Sequence, residues 1–325
     1  AACALAWLTP GLAHDSLWLH DESFHQVVTR HVAERPFEPS LYGDPVHDTP
    51  EMYRDYWNVR AWLVKPVGGF WAGALMMALV GKVPLAFRLA GLLGHLLSVL
   101  TVYLLARRFA GRALAFLAAL GLAALPLAWT LTQARFISDS LDLQLAGWLC
   151  LAMLALFLTV DRRSWRWAAV AGALTGAAVL VKFVLALTPL GVAAVLWALG
   201  AVGFCRGPRL RELAVMALTA VTVALPWNLY TALKWPVAFY QGTVGEVLMH
   251  LQNAGPAASH PQWRRPPDAV FNEILTGLSA PLPATLSMLA GVWLAVRAWR
   301  SRDVVLVGLA AWRWATWLGH SLPQI

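Results

Sequence analysis

The sequence predicts an all-α integral membrane protein: a polytopic helical bundle of about nine spans, with interfacial helices in its first outer loop. Three observations carry that expectation. The first is composition. Of 325 residues, 59% are hydrophobic and 13% charged, and the mean hydropathy is +0.60. A soluble domain carries roughly 25% charged and 45–50% apolar residues. The second is a series of apolar runs near 86–106, 113–133, 140–160, 167–186, 187–204, 212–232, 275–296 and 303–320. Each approaches the length of about 20 residues that a membrane helix needs. The third is the placement of arginine. Arg107, Arg108 and Arg112, then Arg162, Arg163 and Arg166, then Arg206, Arg209 and Arg211, then Arg297, Arg300 and Arg302 occupy every second connection. That alternation is the positive-inside pattern, so those four connections are expected to be cytoplasmic. The net charge of +8 therefore reads as topology and argues against a nucleic-acid partner.

Taken in order, residues 1–13 read as the outer half of a first membrane helix, and the chain also stops abruptly after Pro323-Gln324-Ile325. Residues 14–85 form the first outer loop. It opens Trp18-Leu19-His20-Asp21-Glu22 and runs through Lys65-Pro66 into the apolar stretch 68–80. That stretch is only about half a span long, and Lys65 and Lys82 flank it. Its length and flanks favour a helix lying along the interface. That choice puts the first loop on the same side as the 134–139 connection. Residues 86–232 are the bundle and 233–274 a further outer loop. Pro256, Pro261, Pro266 and Pro267 predict that this second loop is irregular. Residues 275–325 supply the last membrane helices. The 18 tryptophans recur near span ends, as interfacial anchors do. Cys3, Cys150 and Cys205 all lie in apolar runs, with neither zinc nor disulfide spacing.

Several residues on the expected outer face can carry chemistry, each with a bland alternative. Asp21-Glu22 can act as a general base or hold a metal, or can simply start a helix over 22–33, where acids meet the positive end of the dipole. Asp139 is costly beside hydrocarbon unless paired or in a water-filled cavity. Arg135 is its candidate partner, and Asp142 shares its helix face. Lys65 stands where an ammonium suits a lipid phosphate, or where it snorkels as an anchor. Arg60 and Arg88 are rival phosphate partners. Lys182 lies near the outer end of a span, and His250 and His260 lie in the second outer loop. His20, His25 and His31 follow no zinc spacing, so the sequence specifies no cofactor and leaves a divalent metal open.

The ordered set of these features resembles the GT-C class of membrane glycosyltransferases, in the branch of protein O-mannosyltransferases and lipid A aminoarabinose transferases. An Asp-Glu pair in the first outer loop stands here as Asp21-Glu22. The segment opening the interfacial helix, Lys-Pro-Pro in that class, reads Lys65-Pro66-Val67 here. A Phe-x-x-Arg-Leu stretch with a basic end is similar to Phe87-Arg88-Leu89 running to Arg107-Arg108. Ala134-Arg135 precedes the second acid, Asp139. Leu180-Val181-Lys182, Leu225-Pro226-Trp227 and Ser321-Leu322-Pro323 follow in the same order.

The resemblance implies inverting transfer of a sugar from a polyprenyl-phosphate donor to a hydroxyl of a lipid, glycan or protein acceptor. The setting it implies is the non-cytoplasmic face of a bacterial inner membrane. In that scheme Asp21 serves the acceptor, Glu22 supports or ligates, and Asp139 assists from the facing loop. Lys65, with Arg60 or Arg88, holds the lipid phosphate, and Lys182 aids from the bundle. Arg135 and His260 complete the substrate-binding set. The partners are the lipid-linked donor and membrane lipids, with a larger membrane assembly left open. Two other classes compete. A non-catalytic subunit keeping the fold as a scaffold is one. A secondary transporter is the other, but the span interiors carry almost no charge, whereas transporters place ionisable groups near the midplane.

Overall fold

The computed structural model of the chain describes residues 12, 21–41, 61–81, 84–125, 128, 131–132, 140–252 and 281–321, with the backbone alone at Asp21, Val184, 249–252, 281–288 and 314–321. No strand occurs among them. The helices are α1 (Asp21–Glu34), α2 (Gly68–Val80), α3 (Pro84–Ala106), α4 (Arg112–Ala123), α5 (Ser140–Arg162) and α6 (Trp165–Val179), followed by α7 (Thr188–Ala201), α8 (Leu210–Lys234), α9 (Gly245–Gln252), α10 (Pro281–Ser301) and α11 (Val304–Ser321).

Local chemistry sets the ends of the long helices. Pro84 opens α3, where its fixed φ suits the first turn and its missing N–H costs nothing. At the head of α8, Glu212 Oε2 accepts the Arg209 backbone N–H at 2.8 Å. After α5 the chain turns at Arg163, in the left-handed region at φ 49°. The Arg163 guanidinium donates to the Gly207 carbonyl at 2.6 Å, tying the α5–α6 and α7–α8 connections together.

The bundle packs α3 on α5, α5 on α6 and α6 on α8, with α11 against α7. Small residues let the backbones approach, as membrane helices favour. A Cβ on Gly147 of α5 would meet the Gly94 carbonyl oxygen of α3 at 2.6 Å. One on Gly176 of α6 would meet the Ala220 carbonyl oxygen of α8 at the same distance.

Two cores lie at opposite ends of these antiparallel helices. One joins Phe87 and Leu141, at the starts of α3 and α5, to Ala178 and Trp227, near the ends of α6 and α8. It also takes in Val28 of α1, residues 61–64, and Phe70 of α2. The other core gathers Leu105, Phe157, Val160, Ala168, Leu196 and Met216 with Val305 of α11. The arginine clusters belong to this second end, where Arg108 pairs with Asp161 at 2.5 Å. Residues 21–41 and 61–81 are thus packed on the bundle end away from the arginines.

Three helices among the described residues are long and apolar enough to cross a membrane: α3, α5 and α8, with mean hydropathies of 2.0, 2.1 and 1.6. The expected run 113–133 is broken: α4 ends at Ala123, and the described residues are helical again at Ala128 and at 131–132. Pro126 explains this, since it disfavours helical backbone in the residue before it. The run 167–186 likewise stops at Val179 and turns through a short 3-10 segment, Val184–Leu187.

The stretch 233–274, expected to be irregular, corrects that expectation. Residues 236–252 are helical: a turn at Pro236–Ala238, a π-helical turn at Phe239–Val244, then α9. Pro236 sits at a first helical position, where proline is tolerated. The four prolines that predicted irregularity begin only after Gln252.

Candidate functional site

The segment 61–67 lies at the centre of the bundle end away from the arginines. Its backbone is tied down from three sides. Trp62 N–H donates to the Pro39 carbonyl at 2.9 Å, and Thr243 Oγ1 donates to the Leu63 carbonyl at 3.0 Å. Gly68 N–H donates to the Leu180 carbonyl at 2.7 Å. Any Cβ at Gly68 would lie 2.7 Å from that same oxygen. Glycine is therefore required here by the close approach of α2 to the end of α6. Six of residues 61–67 are buried, and Lys65 alone keeps solvent access. Hydrophobic burial of its neighbours thus fixes an ammonium at the rim.

Lys65 Nζ contacts Glu246 Oε1 at 2.6 Å, with 19% and 9% of the two side chains exposed. Glu246 lies in the first turn of α9 and escaped sequence reasoning. Its signal was faint: a proline-led start at Pro236 and an acid in the first turn of a short helix. Val67, standing where the resembled motif has a second proline, leads into α2 with φ −75°. That value is proline-like, so this departure leaves the local backbone unchanged.

Lys182 is placed just beyond the same Gly68–Leu180 contact. It forms an ion pair with Asp142 of α5, each side chain about a quarter exposed. Asp142 and Lys182 were separate candidates in the sequence, and the fold joins them.

Glu22 and Arg88 are brought together deeper in the protein. Arg88 Nε donates to Glu22 Oε1 at 2.7 Å, with 0% and 1% of the side chains exposed. Arg88 Nη1 donates to the Leu12 carbonyl at 2.9 Å, and Gln26 Nε2 donates to Glu22 Oε1 at 3.1 Å. The pair fastens α1 to α3. Arg88, read from the sequence as a rival phosphate partner, is enclosed here instead, with no exposed surface to offer a ligand. Asp21, described by its backbone alone, is the first residue of α1 and is covalently next to this anchored carboxylate.

His25 is a core residue, its ring 5.4 Å from Trp62 and 5.5 Å from Phe70. Among the described residues, no group of three or more His, Cys, Asp or Glu is arranged to hold a metal. Arg60, Arg135, Asp139 and His260 lie outside the described residues, and His250 is described by its backbone alone. Next to that segment, Ser140 Oγ donates to the Phe87 carbonyl at 3.3 Å, fixing the start of α5 beside Arg88.

A second cluster went unnoticed in the sequence. Lys234 Nζ donates to Glu38 Oε1 at 3.0 Å and to the Tyr230 hydroxyl at 2.9 Å. It also lies 4.5 Å from the Trp235 ring centroid. With Phe37, Trp71 and Trp227 it fastens the turn after α1 to the end of α8.

Residues 64–230 match the dolichyl-phosphate-mannose-protein mannosyltransferase family. Undecaprenyl phosphate-alpha-4-amino-4-deoxy-L-arabinose arabinosyl transferase 1 of Pseudomonas fluorescens is 28% identical over 323 residues, covering 93% of this chain and 50% of the relative. The corresponding transferase of Pseudomonas aeruginosa is 32% identical over 240 residues, covering 70% and 39%. The chain thus spans half or less of the length of these curated relatives. Among solved structures, ArnT from Cupriavidus metallidurans in the apo state has a TM-score of 0.67 at 20% identity, covering 99% of this chain and 56% of that one. The same protein bound to undecaprenyl phosphate gives 0.66 at 18%, covering 100% and 59%. The Archaeoglobus fulgidus oligosaccharyltransferase gives 0.61 at 14%, covering 99% and 46%. The helical fold is that of these membrane transferases.

Proposed function

The chain belongs to the dolichyl-phosphate-mannose-protein mannosyltransferase family, and from that premise we propose that it moves a sugar from a polyprenyl-phosphate donor to an acceptor hydroxyl. The acceptor is a lipid, glycan or protein, and transfer proceeds with inversion on the non-cytoplasmic side of a bacterial inner membrane. The relatives' names supply the donor carrier, undecaprenyl phosphate. The proposed topology is a bundle of about nine spans, with α2 along the interface and 14–85 and 233–274 facing outward.

The observation that carries this reading is Lys65: one accessible ammonium in a buried segment, at the bundle end away from the arginine clusters. A phosphate at headgroup depth meets such a charge without crossing hydrocarbon. The proposed chemistry is a single displacement. The Asp21 carboxylate takes the acceptor hydroxyl proton as its oxygen attacks the anomeric carbon. The bond from that carbon to the phosphate oxygen breaks, and its electron pair leaves with the lipid phosphate. Lys65, assisted by Arg60, stabilises the charge gathering there.

Glu22, locked to Arg88, holds the start of α1 and hence the base. Asp139, with Arg135, orients the substrate from the facing connection, and His260 contacts it from the second outer loop. Lys182, paired with Asp142, supports the far wall beside Leu180. The test is donor turnover in proteoliposomes by the full-length protein and its Asp21→Asn and Lys65→Ala variants. Each substitution is expected to cost about a hundredfold or more, as loss of a base or of one charge-stabilising donor does. Undiminished turnover by both variants would sink the reading.

A further inference from the structure

The Lys65–Glu246 contact has a chemical consequence for any anion that approaches Lys65. An ammonium offers three donors and no acceptor, and here it is already engaged by a carboxylate at 2.6 Å. Glu246 is 9% exposed, so its charge is partly desolvated and is met by the ammonium. The carboxylate is also presented by a clamped element rather than a free loop. The π-helical turn before α9 presses Gly242 against the segment carrying Lys65, where a Cβ would lie 3.1 Å from the Leu63 carbonyl carbon. Thr243 bonds the Leu63 carbonyl alongside. Single π-helical turns of this kind widen a helix to re-aim side chains and recur at functional sites.

We propose that Glu246 is a built-in competitor for the donor's phosphate: its carboxylate occupies the Lys65 ammonium until a lipid phosphate displaces it. This rests on the reading of Lys65 as the phosphate-binding cation. The same carboxylate then selects among anions. A neutral headgroup cannot displace it, whereas a phosphate brings more acceptor oxygens than a carboxylate, in the singly charged diester of the donor and, with more charge, in the monoester it leaves. Left in place beside a bound phosphate, Glu246 repels it, so its carboxylate must leave the ammonium for the lipid to seat fully. The ion pair couples residues 181 apart in sequence, and it links occupancy of the first outer loop to the position of the second.

The experiment measures undecaprenyl phosphate affinity for the full-length protein in nanodiscs, as wild type, Glu246→Gln, Lys65→Ala and the double variant. Glu246→Gln keeps the shape and removes the charge, and is expected to tighten binding about tenfold, the scale of one close charge pair. In the Lys65→Ala background that gain should vanish, because no ammonium remains to be released. Glu246→Asp, one methylene shorter, should give a smaller gain in the same direction and serves if the glutamine variant folds poorly. Weaker binding by Lys65→Ala with no gain from Glu246→Gln or Glu246→Asp overturns the role of Glu246 and leaves the donor reading standing. Wild-type affinity in Lys65→Ala overturns both.

Discussion

Arg88→Ala is the perturbation whose cost follows most directly from the geometry. The guanidinium and the Glu22 carboxylate are 2.7 Å apart, with 0% and 1% of their side chains exposed. With an effective dielectric of 20, two unit charges at that distance attract by about 6 kcal/mol, most of which offsets their desolvation. Removing the arginine forfeits the attraction but leaves the carboxylate buried, and takes the donor from the Leu12 carbonyl. Breaking such a pair costs about 3–5 kcal/mol. Reversible unfolding in mixed micelles should show a loss of that size. The double variant Glu22→Gln, Arg88→Met removes both charges, keeps an acceptor for Gln26, and should recover more than half of it. An Arg88→Ala protein within about 0.5 kcal/mol of wild type, the range of surface changes, would refute the reasoning. A double variant as unstable as the single one would do the same.

The close contacts make further predictions. Gly68→Ala places a Cβ 2.7 Å from the Leu180 carbonyl oxygen, and should lower stability by about 1–3 kcal/mol as overpacking does, read from thermal unfolding. Gly147→Leu forces α3 and α5 apart and should cost at least as much; an unchanged melting temperature would contradict that packing. Replacing Asp142 with asparagine removes the charge facing Lys182. It should reduce turnover by less than tenfold, against about a hundredfold or more for Lys65→Ala; equal losses would reverse the ranking. Burial pushes the Cys205 thiol up from its ordinary value. Its thiolate therefore forms at higher pH than a free cysteine's, and maleimide labelling there should be slower near neutrality and catch up only as pH rises.

Local signals were legible in the sequence, and long-range pairing was not. Uniform apolarity with charged ends placed α3, α5 and α8 within two residues at each end. The flanking lysines bounded α2 at Gly68–Val80, and the acid-led amphipathic pattern placed α1 within a residue. Pro126 already carried the information that 113–133 would break. The helical start of the stretch 233–274 was missed because its prolines were read as one group. Pro236, unlike the later four, sits where a helix accepts it. Hydropathy gives no clue that Lys65 meets Glu246, that Lys182 meets Asp142, or that Arg88 is enclosed by Glu22. Each pairing joins elements brought together only by packing of the bundle, and periodicity along the chain reports nothing beyond its own helix.

The proposed function turns on Lys65 receiving a lipid phosphate at the bundle end away from the arginines. A structure of the full-length protein with undecaprenyl phosphate bound tests it most directly. A phosphate oxygen is expected within about 3 Å of Lys65 Nζ, the reach of a charge-assisted hydrogen bond, with Glu246 displaced from the ammonium. A phosphate seated elsewhere, with the Lys65–Glu246 pair intact, would contradict it.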